Sequence, residues 1–335
     1  MGLNVALIGF GYWGRNILRN LVDLYDQSKI FVAEKADTKR SQLNNMYPGI
    51  TTYASIELIY QLHNIDAVVI ATETKTHYIL AKQALELGKH VFVEKPMTTS
   101  VEEAENLAEL AKKKELVLMV DHIFLYHAVV RKMKDYFTND FLGKVNYIDA
   151  TRINLGIYQR DINVLWDLAC HDISIVNHLV QEQPESVQAI GRRNIDFGVE
   201  DLAYLFLYYK SGLLVQINSS WASPVKIRKI IIGGEKRMMI YDDIEPTNKL
   251  IIYDYAFTTP EDDSKLPLTE YRLGNITIPR YEQVEPLRAA LSDFFECIKQ
   301  DKQPTTNARN AIDVIRILEK AQESLQLQGK KLSIN

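Results

Sequence analysis

The chain has 335 residues, 47% apolar and 24% charged, the composition of an ordinary water-soluble protein long enough for two domains. A net charge of -4 and a pI near 6.0 supply no electrostatic footprint for nucleic acid or an anionic membrane, and no apolar run approaches the roughly 20 residues that span a bilayer. Cys170 and Cys297 are too few for a disulfide framework, and the chain opens directly on a strand-like Asn4 to Ile8 with no signal-type segment, so a cytoplasmic protein is expected.

Through the first 120 residues or so, short apolar runs alternate with amphipathic stretches, the pattern of βαβ units on a parallel sheet. The runs predict strands at Val5 to Gly9, Ile30 to Ala36, Ala67 to Ala71, Val91 to Glu94 and Val117 to Val120. The stretches predict helices at Trp13 to Tyr25, Ile56 to Leu62, His77 to Leu87 and Val101 to Lys114. Ser100 and Glu103 stand in capping-box register ahead of the last helix, and Gly88 stops the third. Residues 1–121 therefore read as an α/β, doubly wound (Rossmann) dinucleotide-binding domain.

The first strand runs into Gly9-Phe10-Gly11-Tyr12-Trp13-Gly14, a GxGxxG at the mouth of a helix. Glycine serves the tight turn, the close approach of a pyrophosphate and helix-on-strand packing, while the helix N-terminus offers unpaired N–H groups to the anion. Gly9, Gly11 and Gly14, with Tyr12 and Trp13 between them, are the candidate cradle. Asp37 follows about 20 positions beyond Gly14, where a carboxylate accepts from the adenosine ribose hydroxyls and repels a 2′-phosphate. Glu34 competes for this role but falls inside the predicted strand. Asp37 thus predicts NAD over NADP, although Lys39 and Arg40 follow closely and suit a phosphate.

Two more loops are predicted at the same edge of the sheet. Thr72 and His77, in Ala71-Thr72-Glu73-Thr74-Lys75-Thr76-His77, read either as a wall of the nicotinamide or ribose site or, with Thr76, as a helix cap and first turn. His90-Val91-Phe92-Val93-Glu94-Lys95-Pro96 reads as a buried strand ended by an acid, a base and a proline, which delivers Lys95 to the edge where open α/β sheets hold ligands. The same two charges also read as ordinary loop residues.

From residue 122 onward the pattern shifts to longer strands, at Val145 to Leu155, Val187 to Ile190, Leu202 to Lys210, Leu213 to Trp221, Arg228 to Gly233 and Arg237 to Asp242. With helices at Val129 to Phe137 and Ile173 to Val180, residues 122–335 read as an α+β domain on a large open, mostly antiparallel sheet. Between Ala203 and Tyr209 both strand faces are apolar or aromatic, so one face is left for a second subunit and a homo-oligomer, dimer or tetramer, is expected. Helices at Pro286 to Gln300 and Ala308 to Leu325 and a strand at Lys331 to Ile334 close the chain, with a C-terminal helix as the candidate for a return to the first domain.

In Val164-Leu165-Trp166-Asp167-Leu168-Ala169-Cys170-His171-Asp172, helical spacing puts Asp167 and His171 on one face. An imidazole beside a carboxylate takes a proton near neutral pH, and the same pair also reads as a buried contact that orders the helix. His122, His127, Cys170, His171 and His178 make no H-x-x-x-H or C-x-x-C pattern, which argues against a metal.

The GxGxxG turn, the Thr72 to His77 loop and above all Lys89-His90-Val91-Phe92-Val93-Glu94-Lys95-Pro96 resemble the Gfo/Idh/MocA family of oxidoreductases, over essentially the whole chain. The resemblance implies a catalytic lysine at Lys95, with Glu94 beside the cofactor, and a D-x-x-x-H pair at Asp167 and His171 facing Lys95 across a cleft. It implies no metal in the redox step. Glu73 departs from the proline that many members carry. The stretches Asp121 to His127 and Thr151 to Asp167 are similar to members that act at C3 of nucleotide-linked sugars, which implies a UDP-linked N-acetylhexosamine or its uronate as substrate, in amino-sugar synthesis, with Tyr126, Arg160 and Asn163 as contacts. Arg152, Arg160, Asn154 and Asn163 offer more donors than a small neutral polyol needs, and they also read as loop or salt-bridge residues. An inositol or free-sugar dehydrogenase of the same family and an NAD-dependent glycoside hydrolase are the alternatives.

Overall fold

Val5, Ala6, Leu7 and Ile8 are apolar without alternation, and each is buried, as a central strand covered on both faces must be. In the computed structural model, which describes residues 2–156, 158–159, 162–195, 198–258 and 270–334, they form β1 (Val5–Ile8). The chain divides into two compact units, Met1–Tyr126 with Val284–Ile315, and His127–Gln283 with Arg316–Asn335.

In the first unit β1 is followed by α1 (Tyr12–Leu24), β2 (Ile30–Ala33), α2 (Asp37–Met46), β3 (Thr51–Tyr53), α3 (Ile56–Tyr60), β4 (Ala67–Ile70), α4 (Thr74–Glu86), β5 (His90–Val93), α5 (Val101–Lys113) and β6 (Leu118–Val120). The six strands make one parallel sheet in the order β3-β2-β1-β4-β5-β6, with β1 between the two halves of the winding. Ser100 accepts from Glu103 N at the start of α5, whose first turn holds Glu102 and Glu103 and whose last holds Lys112 and Lys113, so cap and dipole both favour the helix. Val5, Leu7, Val32, Val69 and Phe92 share a core with Ile17, Leu18 and Leu21 of α1 and with Leu287, Leu291 and Phe294 of the helix Pro286–Gln300. Phe92 and Phe294 meet edge to face at 5.6 Å, an arrangement that adds about 0.5–1.5 kcal/mol to area burial. Glu285, just before that helix, pairs with Arg19 and accepts from Asn20 of α1 at 3.0 Å.

The second unit contains α6 (Ala128–Thr138), β7 (Val145–Leu155), α7 (Cys170–Val180), β8 (Ser186–Arg192), β9 (Leu202–Tyr208), β10 (Leu214–Ser220), β11 (Ala222–Gly234), β12 (Met238–Asp242), β13 (Leu250–Thr258) and β14 (Glu270–Thr277). After α8 (Pro286–Gln300) and α9 (Ala308–Gln326) comes β15 (Leu332–Ser333), paired to β8. The nine strands lie in the order β14-β13-β12-β11-β7-β10-β9-β8-β15, and only β7 and β10 run parallel. β13 and β14 extend this sheet beyond the six strands expected. On β9 one face, Ala203, Leu205 and Leu207, is buried. The opposite face carries Tyr204, Phe206 and Tyr208, and the register continues it through Ile190, Leu214 and Tyr147, so an apolar and aromatic surface stays partly exposed. No helix among the described residues is long and apolar enough to cross a membrane.

Candidate cofactor and catalytic residues

The three glycines of the first turn have different duties. Gly9 lies at φ +96°, and a Cβ there would stand 2.5 Å from Ala71 O; one on Gly14 would stand 2.1 Å from Gly9 O. Both are dictated by the fold. Gly11, the N-cap of α1, has no heavy atom within 4 Å of where a Cβ would lie, and no side chain caps the helix. That open approach to first-turn N–H groups fits a cofactor pyrophosphate. Tyr12 and Trp13, edge to face at 5.7 Å, expose their rings beside it.

At the end of β2 the structure revises the sequence reading. Asp37 is the first residue of α2, its side chain 88% exposed and paired with Arg40. Glu34, expected inside the strand, follows its last residue instead and is buried against the glycine turn. Its Oε2 accepts from Phe10 N at 3.0 Å and its Oε1 from Ala36 N at 3.0 Å, with Lys39 Nζ at 3.7 Å. Burial pushes the Glu34 carboxyl up, but the Ala36 and Phe10 N–H groups, with Lys39 and Lys35, outweigh it and hold the group below its usual range. The carboxylate bonded to the backbone of the cradle is thus Glu34, which the sequence reading ranked behind Asp37.

His77 lies within α4, three residues past its start, and is almost fully buried. Nδ1 is 2.8 Å from Pro96 O and Nε2 is 3.2 Å from Thr72 O. Burial, which dominates, and the charge of Lys95 push its pKa down against the two carbonyls, which push it up. His77 thus packs between the Thr72 loop and the segment after Lys95. Thr72 Oγ1 shares a hydrogen bond with Thr76 Oγ1 at 2.7 Å. β5 ends at Val93, and Lys95 follows, half-buried. The Glu94 side chain, expected beside the cofactor, is buried next to Asp121. Sequence reasoning singled out neither Asp121 nor the packing of Glu94; the signal was an acid one position past each of two adjacent strand ends.

Tyr126, expected to touch substrate, is buried with its hydroxyl donating to Asp293 of α8, a contact that fastens that helix to the first unit.

In the second unit Asp167 lies in a π-helical turn, Leu165–Ala169, that leads into α7, and His171 is the second residue of α7. The two lie four residues apart along a locally widened helix, and such turns occur often at functional sites. Asp167 Oδ2 accepts from Trp221 Nε1 at 2.9 Å, a partner the sequence did not suggest. Asn163, expected as a substrate donor, is buried and caps this segment instead. Its Oδ1 accepts from Leu165 N at 3.1 Å, and its Nδ2 donates to Glu200 at 3.1 Å and to Gln322 at 2.7 Å. Arg152 is likewise consumed: its Nε and an Nη make a bidentate pair with Asp172, at 2.7 and 2.8 Å, in the interior of the unit. Arg160 lies outside the described residues. Among the described residues no group of three or more His, Cys, Asp or Glu is set to hold a metal.

A family model described as "Oxidoreductase family, NAD-binding Rossmann fold" matches residues 3–122, and the C-terminal domain model of the same family matches residues 130–240. The chain belongs to the Gfo/Idh/MocA family of oxidoreductases. Within that family it is similar to UDP-N-acetylglucosamine 3-dehydrogenase of Acidithiobacillus ferrooxidans, 27% identical over 75% of this chain and 77% of the relative. It is also similar to the NAD(+) scyllo-inositol 2-dehydrogenase of Bacillus subtilis, 27% identical over 70% of this chain and 72% of the relative. A crystal structure of the Acidithiobacillus ferrooxidans enzyme superposes with a TM-score of 0.80 over 97% of each chain at 21% identity, a likeness of fold. The Gfo/Idh/MocA N-terminal match contains the glycine turn, Glu34, Glu94, Lys95 and Asp121; the C-terminal match contains Asn163, Asp167, His171 and Trp221.

Proposed function

We propose that this Gfo/Idh/MocA oxidoreductase moves a hydride between NAD(H) and C3 of a nucleotide-linked sugar, a UDP-linked N-acetylhexosamine or its uronate. The cofactor reading is carried by the open N-terminus of α1 at Gly11 with the Glu34 carboxylate bound to the turn. Glu34 accepts from the adenosine ribose hydroxyls and its negative charge opposes a 2′-phosphate. The nicotinamide ring supplies hydride acceptance or donation when bound. His171 takes the proton of the sugar hydroxyl, and Lys95 donates a hydrogen bond to the same oxygen as negative charge develops there. Asp167, itself held by Trp221, orients and supports the imidazole. Running in reverse, the same groups return a proton to a ketone oxygen.

The C3 assignment is supported by the similarity to the UDP-N-acetylglucosamine 3-dehydrogenase over three quarters of the chain. With Tyr126, Asn163 and Arg152 engaged in internal contacts, Arg160 remains the proposed anion contact. The test offers UDP-N-acetylglucosamine, myo-inositol and free glucose with NAD and follows NADH absorbance. Turnover of the nucleotide sugar alone is expected; efficient turnover of the polyols with none of the nucleotide sugar overturns the substrate class and leaves the oxidoreductase standing.

A further inference from the structure

The ends of β5 and β6 hold two acids for which the scheme above has no use. Val93 and Val120 are partners across the parallel ladder, and Asp121 N donates to Val93 O at 2.8 Å, so the next residues, Glu94 and Asp121, leave the sheet side by side. Their exposures are 6% and 1%, and Glu94 Oε1 and both Asp121 oxygens meet no donor placed to bond them. Of the charged or titratable groups nearby in this unit, His122 is buried and pushed down to about 4 by burial first and by Lys95 second, so it is uncharged at neutral pH. His77, from α4, has its two ring nitrogens against the Pro96 and Thr72 carbonyls, and burial pushes its pKa down. The cation that acts on both acids is Lys95.

Two carboxylates side by side and out of water repel each other and forfeit hydration, so they titrate as a unit in which one proton is held far above the ordinary carboxyl range. We propose that Glu94 and Asp121 form a buried acid pair that keeps one proton between them and presents a single negative charge to Lys95. Burial, then the charge of Glu94, raises Asp121 well above its usual range, and Lys95 opposes this without cancelling it. Burial raises Glu94 as well. The consequence for catalysis rests on the reading of Lys95 given above; the pair itself does not.

The experiment uses the full-length protein and needs no substrate. Infrared spectra at pH 7 are expected to contain the carbonyl stretch of an un-ionised carboxyl that disappears in Asp121→Asn, whose amide replaces the protonated acid and keeps the charge of the pair unchanged. Labelling of Lys95 by acetic anhydride, read by mass spectrometry across pH, is expected to change less than about twofold in Asp121→Asn. In Glu94→Gln/Asp121→Asn, which removes the charge, labelling rises about tenfold at a given pH, the equivalent of one pKa unit. A wild-type spectrum without the un-ionised carboxyl overturns the proposal, as does Lys95 labelling that responds equally to the single and the double variant. Thermal unfolding confirms that each variant is folded, and folding failure of the double variant leaves the infrared comparison of wild type with Asp121→Asn to decide. Retained turnover in Lys95→Ala refutes the catalytic assignment and leaves both arms intact.

Discussion

Lys95 and His171 carry the proposed chemistry from two different units, so each is tested alone. Lys95→Ala and His171→Ala are each expected to lower kcat by at least about a hundredfold, while NADH affinity measured by fluorescence titration stays near wild type. Asp121 makes a second prediction, with its sign fixed by linkage. Its folded pKa is raised, so as pH rises past the unfolded value of about 4 the unfolded chain releases a proton that the folded chain retains, and stability falls with pH until the folded group ionises. Asp121→Asn ionises in neither state. Its unfolding midpoint in urea is expected to exceed wild type between about pH 5 and 7 and to converge with it near pH 3; a variant less stable than wild type throughout that range contradicts the assignment. At this scale the sequence was legible in its motifs and misleading in its spares. The glycine turn and the segment ending in Lys95 stood out because backbone geometry and strand ends restrict residue type. Arg152, Asn163 and Tyr126 looked available because spacing does not reveal that Asp172, Glu200 with Gln322, and Asp293 already hold them. Asp37 was preferred to Glu34 because a strand end cannot be fixed to within three residues, and β2 ends at Ala33 rather than Ala36.

Among the elements, α1 separates binding from folding within one turn. Gly11→Val puts atoms into the open approach to the helix N-terminus and is expected to weaken NADH binding at least about tenfold with little change in unfolding temperature. Gly14→Ala forces a Cβ against Gly9 O and is expected to lower the unfolding temperature as well as affinity. Equal loss of stability in both would remove the distinction. Five of the six parallel strands were readable because burial leaves apolar runs, while the polar, partly exposed β3 was not, and β7 was readable at both ends, Val145 and Leu155. β14 was not: from Arg272 to Thr277 every residue is exposed at the edge of the sheet, so its composition carries little core signal. The π-turn at Leu165–Ala169 was also hidden, since helical periodicity does not mark one widened turn.

At the scale of the molecule, the partly exposed face through Tyr147, Leu214, Tyr208, Phe206, Tyr204 and Ile190 supports the proposal of a homo-oligomer. Light scattering at micromolar concentration is expected to give twice or four times the 38.5 kDa chain mass, and Tyr204→Lys to shift it toward the monomer. A wild-type monomer removes the proposal. The return of α8 to the first unit bears on how the protein is made. A ribosome that has finished residue 126 has produced every strand of the first sheet, yet Phe92 and the inner face of α1 must wait for about 160 more residues before Leu291 and Phe294 arrive, roughly ten to thirty seconds at ordinary translation rates. During that interval the nascent half exposes the surface that α8 later covers, so it is the half expected to depend on chaperones. A fragment ending at Tyr126 should precipitate when expressed alone, whereas co-expression with the segment Val284–Ile315 should recover it.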